Sequence, residues 1–155
     1  MPIILALLAC GTPDNEINGS VAGTSLSKPM SAWWGGPFIL FTDIELSCYD
    51  TAWVRRTYDA AESPTDFDVT ALQFGFDNEE PLEGIFSVEG EAAVAAKAVF
   101  VVGGAFVEYR GRQGNLEVDS IEGDLMEGSF DITFDDGSYS TEYFSAEYCS
   151  NLIRN

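Results

Sequence analysis

The sequence contains no histidine, and this absence excludes the most common types of catalytic site. Serine and cysteine hydrolases activate their nucleophile with an imidazole, and histidine is a principal ligand of catalytic zinc. Gly103-Gly104 also lacks the glycine spacing and the following helix that a phosphate-binding loop needs. We therefore predict that the chain is not an enzyme, and we assign no catalytic residue, no metal ligand and no cofactor.

Basic side chains are scarce: the chain has 7 Lys and Arg against 26 Asp and Glu, for a net charge of −19. Such a charge repels phosphate backbones and anionic lipid headgroups, so we predict no nucleic-acid partner. The acidic residues alone indicate solubility and not a site. Hydrophobic residues make up 46% of the chain, which is typical of a folded domain and not of a disordered acidic tail.

No apolar run approaches the ~20 residues that a membrane-spanning helix needs. The uncharged start of the chain holds seven apolar residues, Ile3 to Ala9, which fits the core of a secretory signal. The sequence Leu7-Leu8-Ala9-Cys10-Gly11 resembles the bacterial lipobox, in which signal peptidase cuts before a cysteine that carries a diacylglyceryl group. The resemblance implies that Cys10 is the lipidated first residue of the mature chain. The alternative is a buried N-terminal strand with an incidental cysteine.

The chain has only three cysteines, an odd number that needs an explanation in an exported protein. Lipidation of Cys10 leaves Cys48 and Cys149 as a pair. Because exported bacterial proteins meet an oxidising compartment, we expect a disulfide between these two residues. Two reduced and buried thiols are the alternative.

These features predict the organisation of the chain. Residues 1–9 form a lipoprotein signal peptide, residues 10–19 form a flexible polar tether, and residues 20–155 form a single β domain, whose length suits one hydrophobic core. We expect the protein in the bacterial cell envelope, on the outer membrane or on a membrane facing the periplasm. Its contact with the membrane is expected through the lipid alone.

Hydrophobic residues recur with a period of two, which indicates strands. In residues 69–76, Thr70, Leu72, Phe74 and Phe76 share one face, and Phe130, Ile132 and Phe134 do so in residues 129–134. Asp136-Gly137 predicts a hairpin, and Glu122-Gly123-Asp124 predicts another turn.

The spacing of these strands and turns predicts an all-β fold, an antiparallel sandwich or barrel of about eight to ten strands. At most one or two short helices are expected. Residues 50–68 predict a long loop with room for a short helix just after Cys48, and Ala92 to Ala98 favours helix and strand equally.

Two stretches carry a resemblance to a known group. They are Asn18-Gly19-Ser20-Val21-Ala22-Gly23, and the run from Gly114 through Gly128-Ser129-Phe130-Asp131 and Asp136-Gly137 to Phe144 and Cys149. Together they resemble small uncharacterised lipoproteins of myxobacteria and related bacteria. The resemblance implies an exported β domain with a lipobox and a cysteine pair at Cys48 and Cys149, and it implies no activity.

We therefore predict a lipid-anchored envelope domain with a non-catalytic binding or structural role, toward a protein or a glycan. Trp33-Trp34 is a candidate aromatic platform for such a partner, although paired tryptophans often split between the core and its rim. A pair of carboxylates acting as a glycosidase is an enzymatic alternative that would need two acids in one cleft.

Two further alternatives name specific residues. A calycin-like carrier of a small apolar ligand would need an internal pocket lined by Leu72, Phe74, Phe130 and Phe144, and a filled core there would argue against it. A calcium-binding module would use Asp77-Asn78-Glu79-Glu80, or Asp135-Asp136 near Asp131. Neither cluster has the spaced Asp pattern of an EF-hand loop, so ordinary solvated turns are the favoured explanation of both.

Overall fold

The computed structural model describes residues 18–21, 23–25, 31–53, 68–77, 81–88, 94–102 and 105–152, and it confirms the all-β fold class. These residues form ten strands and two short 3-10 helices, within the predicted numbers. The strands are β1 (Asn18–Val21), β2 (Thr24–Ser25), β3 (Ser31–Gly35), β4 (Phe38–Thr42), β5 (Val69–Phe76), β6 (Gly84–Ser87), β7 (Val94–Val102), β8 (Ala105–Glu122), β9 (Leu125–Phe134) and β10 (Tyr139–Tyr148). The 3-10 helices are Cys48–Trp53 and Ser150–Leu152.

Seven of the strands close into a barrel, in the order β3-β4-β5-β7-β8-β9-β10 and back to β3. Every pairing around this ring is antiparallel except the last, where β10 runs parallel to β3 and Tyr148 lies opposite Trp34. The prediction of an antiparallel sandwich or barrel is confirmed as a barrel, in which this one pair is parallel. The reason is geometric, because a ring with an odd number of strands cannot alternate direction all the way round.

The remaining strands extend this sheet from β10 and β8. Strands β1 and β2 continue from the first half of β10, and β6 pairs with residues 115–118 of β8. Strand β8 has 18 residues and therefore changes partner along its length, from β7 to β6. Its pairing with β9 shifts register at Gly111/Gln113 and at Val118/Ser120, and such bulges bend a strand.

Aromatic side chains fill the barrel interior. The alternation of strand residues turns Ile39 and Phe41 inward from β4, and Phe41 lies at the centre of a cluster of rings. Its centroid is 6.3 Å from that of Phe74, 5.8 Å from Phe130 and 5.3 Å from Phe144. This cluster belongs to one contiguous core that includes every strand of the closed ring.

A second, smaller core lies on the outside of β4, β5 and β7, beneath the two 3-10 helices. It contains Leu40, Leu46, Val69, Ala71, Val99, Cys149 and Leu152. The predicted disulfide is present there, with the Cα atoms of Cys48 and Cys149 5.4 Å apart. The Thr51 hydroxyl donates to the carbonyl oxygen of Cys48 over 2.7 Å, which fixes the first helical turn after this cysteine. Because both sides of β4 are covered, all five of its residues are buried.

Part of the predicted organisation lies outside the described residues: the signal peptide of residues 1–9, the lipid-bearing Cys10, most of the tether, and residues 54–67 of the long loop. The short helix expected after Cys48 is confirmed as the first 3-10 helix. Among the residues that the structure describes, no helix has the length and apolar character needed to cross a membrane.

Candidate functional site

Strands β6, β8, β9 and β10 turn one set of side chains outward from the barrel. Their register aligns these side chains in rows across the sheet. One row runs Ile85, Glu117, Ser129, Tyr143, and the next runs Ser87, Asn115, Asp131, Thr141. We call the outward side of residues 84–87, 115–122, 125–134 and 139–148 the acidic face.

A groove with a volume of about 370 Å³ crosses the acidic face. Its lining includes Ile85, Asn115, Glu117, Ser129, Asp131, Thr141 and Tyr143. A second groove of about 450 Å³ continues from it toward Tyr139 and shares Asn115 and Asp131 with it. Both are open depressions on a sheet surface, so a ligand would lie across the strands and not inside the barrel.

Large apolar side chains are exposed at both ends of the first row. Tyr143 is 76% exposed and Ile85 is 69% exposed, while the side chains between them, Glu117 and Ser129, are half-buried. Ser129 is small and therefore forms the floor of the groove between larger neighbours. Exposed aromatic residues beside polar groups are frequent at binding surfaces.

Hydrogen bonds to the backbone fix the polar side chains of the second row. The Asn115 amide N–H donates to Oδ1 of Asp131 over 2.8 Å, and the Thr141 hydroxyl donates to the carbonyl oxygen of Phe130 over 3.0 Å. Gly114 precedes Asn115 with a φ of +130°, a conformation that brings the two strands close at this point. The groove therefore rests on ordered sheet backbone.

The charges of this face have one sign. Its segments carry seven carboxylates, of which Glu142 is paired with the inward Phe130 and therefore lies on the other side of β10. The six that remain are Glu117, Asp119, Glu122, Glu127, Asp131 and Glu147. No Lys or Arg occurs in these segments. Three described cations, Lys97, Arg110 and Arg112, lie instead on β7 and the first half of β8, where Nζ of Lys97 is 3.1 Å and Nε of Arg110 is 2.9 Å from the Glu108 carboxylate.

The candidate tryptophan platform is not formed, and the alternative that the pair splits is confirmed. Trp34 is buried, packs edge-on against Tyr148, and donates its indole N–H to the carbonyl oxygen of Asp124 over 3.1 Å. Trp33 points to the opposite side of β3, packs against the second core, and donates to the carbonyl oxygen of Leu46. Adjacent strand residues face opposite ways, so the pair splits between the two cores.

The exposed aromatic residues Tyr139 and Tyr143 were missed from sequence. The available signal was their spacing, because Tyr139, Thr141 and Tyr143 alternate with the inward Phe144.

The acidic clusters considered for calcium do not converge on a common point in the described chain. Asp136 accepts from the backbone N–H of Ser138 over 2.9 Å, so its carboxylate shapes the β9–β10 turn, while Asp131 binds Asn115. Of the cluster 77–80, only Asp77 belongs to the described residues. Within the described ranges, no three acidic or cysteine side chains are grouped as metal ligands.

The geometry also argues against the carrier alternative at the residues it named. Leu72, Phe74, Phe130 and Phe144 are all buried in the inner core. The rings of Phe74 and Phe130 are 5.3 Å apart, and Phe41 packs against both of them and against Phe144. The protein's own aromatic side chains therefore occupy the space in which the ligand would sit.

Comparison with known proteins gives no match to this chain, whether to protein-family models, to curated proteins or to solved structures. Function is therefore inferred from the groove and from the sequence.

Proposed function

We propose that this chain is a lipid-anchored protein of the bacterial cell envelope, on the outer membrane or on a membrane facing the periplasm. Its barrel has a non-catalytic role and binds a partner through the acidic face. The observation that carries the binding role is the groove, in which Tyr143 and Ile85 are exposed at the two ends of a polar row on ordered strands. Groups held by sheet backbone are positioned for recognition without a large ordering cost.

The anchor at Cys10 is supported by the lipobox resemblance and by the disulfide. Cys48 and Cys149 are 101 residues apart in sequence, and disulfides of this kind persist in oxidising compartments. With both residues paired, Cys10 is the remaining cysteine of the three, which agrees with a separate role for it.

The position of β1 connects the proposed anchor to the proposed binding surface. Asn18 pairs with Thr141, a residue of the groove lining. Asn18 follows Cys10 by eight residues, and an extended chain of that length spans at most about 28 Å. A protein anchored at Cys10 would therefore hold this edge of the acidic face within about 28 Å of the lipid attachment point.

Chemical footprinting of tyrosine tests the binding role even though the partner is unidentified. Tyr143, at 76% exposure, is compared with Tyr49, which is 81% exposed and lies in the first 3-10 helix, away from the acidic face. We expect both to react with a tyrosine-directed reagent in the protein purified in detergent. In permeabilised cells, Tyr143 should be protected while Tyr49 still reacts.

The modified peptides are quantified by mass spectrometry, with Tyr49 as the internal control. Equal modification of Tyr143 in cells and in the purified protein would contradict a partner on this face.

A further inference from the structure

The composition of the groove indicates the chemistry of its partner. Its lining contains the outward carboxylates of Glu117 and Asp131 and no Lys or Arg, and the neighbouring segments of the acidic face add Asp119, Glu122, Glu127 and Glu147. A concave surface lined by charges of one sign concentrates counter-ions of the other sign. The net charge of −19 means that the chain as a whole also attracts cations. A cationic partner is therefore attracted, and an anionic one is repelled.

We infer that the acidic face binds a basic segment of a partner polypeptide and seats a lysine or arginine side chain over Ser129, between Glu117 and Tyr143. This inference deepens the binding role proposed above and depends on it. Glu117, Ser129 and Tyr143 occupy successive strands of one row, so Glu117 and Tyr143 stand two strand spacings, or about 10 Å, apart. The small Ser129 leaves room for the side chain between them.

The residues on the two sides of Ser129 attract a cation in different ways. The Glu117 carboxylate supplies an opposite charge and a hydrogen-bond acceptor. The exposed ring of Tyr143 presents an aromatic surface, which attracts ammonium and guanidinium groups. The hydroxyl of Ser129 and the carboxylate of Asp131 supply further acceptors along the floor and the next row.

A neutral glycan is the competing partner for a polar groove with an exposed tyrosine. It would use the ring of Tyr143 and the hydrogen-bonding groups of Asn115 and Thr141. It would gain nothing from the carboxylates of the segments that form the acidic face or from the absence of basic residues in those segments. Because charge is the most one-sided property of this surface, the basic segment is the better fit.

The test is calorimetric titration of the full-length chain in detergent with hexalysine, hexaserine and a neutral oligosaccharide. The groove variants are Glu117→Gln, Tyr143→Ala and their combination. The matched controls are Glu45→Gln and Tyr49→Ala, which change an exposed acid and an exposed tyrosine outside the acidic face. Unchanged melting temperatures establish that each variant is folded.

We expect hexalysine to bind and the two neutral probes not to bind. Each single groove variant should weaken binding about threefold, and the double variant should weaken it about tenfold, because an exposed ion pair and an exposed cation–aromatic contact each contribute modestly. The controls should leave the affinity within about twofold of the parent chain, since surface charges separated by more than a Debye length are screened.

Three results would overturn the inference. If Glu45→Gln and Glu117→Gln weakened hexalysine binding equally, the peptide would be attracted by the overall negative charge of the chain and not by the groove. Binding of the oligosaccharide that is lost in Tyr143→Ala would assign the groove to a glycan and leave the proposed binding role intact. Protection of Tyr143 in cells without any binding of hexalysine would likewise retain the binding role and reject the basic segment.

Discussion

Gly114 is the residue on which the geometry of the acidic face most depends. A Cβ atom at this position would collide with the backbone carbonyl oxygen of Asp131, and the φ of +130° is one that other residues rarely adopt. Since Asn115 follows directly and donates to Asp131, any shift of Gly114 moves the second row of the groove.

We expect Gly114→Ala to lower the free energy of unfolding by about 3 to 5 kcal/mol, since it combines a backbone collision with an unfavourable φ. Gly123→Ala is the matched control, because Gly123 has a φ of +63° and nothing within 4 Å of its Cβ position. Its cost should be about 1 to 2 kcal/mol. Urea unfolding measures both values, and equal losses would show that the close approach at Asp131 contributes nothing.

The elements that could be predicted best are strands in which large apolar side chains alternate with small or polar ones, even where, as in β5, both sides are buried. The alternation in residues 69–76 predicted β5 with the bounds that the structure gives, Val69–Phe76. Residues 129–134 predicted only the second half of β9, because its first half, Leu125–Gly128, has weaker alternation. The turn at Gly123 is confirmed, with Glu122 paired to Leu125.

Strand β7 shows why the helix and strand preferences of individual residues were insufficient to predict its secondary structure. Residues 92–98 favour helix as much as strand, yet β7 begins at Val94. Ala96 and Ala98 are buried in the barrel, where they lie opposite Phe74 and Leu72 of β5. Small residues suit these positions because large neighbours already fill the interior, so partners more than 20 residues away decide the structure.

The disulfide joins Cys48, the first residue of one 3-10 helix, to Cys149, which directly precedes the other. Both cysteines pack in the second core. Removal of the disulfide in the double variant Cys48→Ala/Cys149→Ala should lower the free energy of unfolding by about 4 kcal/mol, because it frees a closed loop of 101 residues in the unfolded chain. Urea unfolding of the variant and of the parent measures the difference. Cys10→Ser is the control and should leave the midpoint unchanged; a midpoint shared by all three chains would contradict this role.

At the scale of the whole molecule, the choice between sandwich and barrel could not be made from sequence. Closure depends on the pairing of β3 with β10, two strands separated by more than 100 residues. Periodicity identifies each strand but carries no information about which distant strand lies beside it.

The candidate site shares this dependence on long-range pairing. The outward direction of Tyr143 could be read from its spacing to Phe144, but its alignment with Glu117 and Ile85 required the register of four strands. The split of Trp33 and Trp34 between two surroundings, in contrast, needed only the alternation of strand residues, and this alternative to the candidate platform is confirmed.

The central claim is that this barrel works as a domain anchored to a membrane through Cys10. Mass spectrometry of the chain extracted from membranes tests it most directly. We predict a chain that lacks residues 1–9 and begins at Cys10 with a diacylglyceryl thioether. A chain that retains Met1, or that carries an unmodified Cys10, would contradict the account.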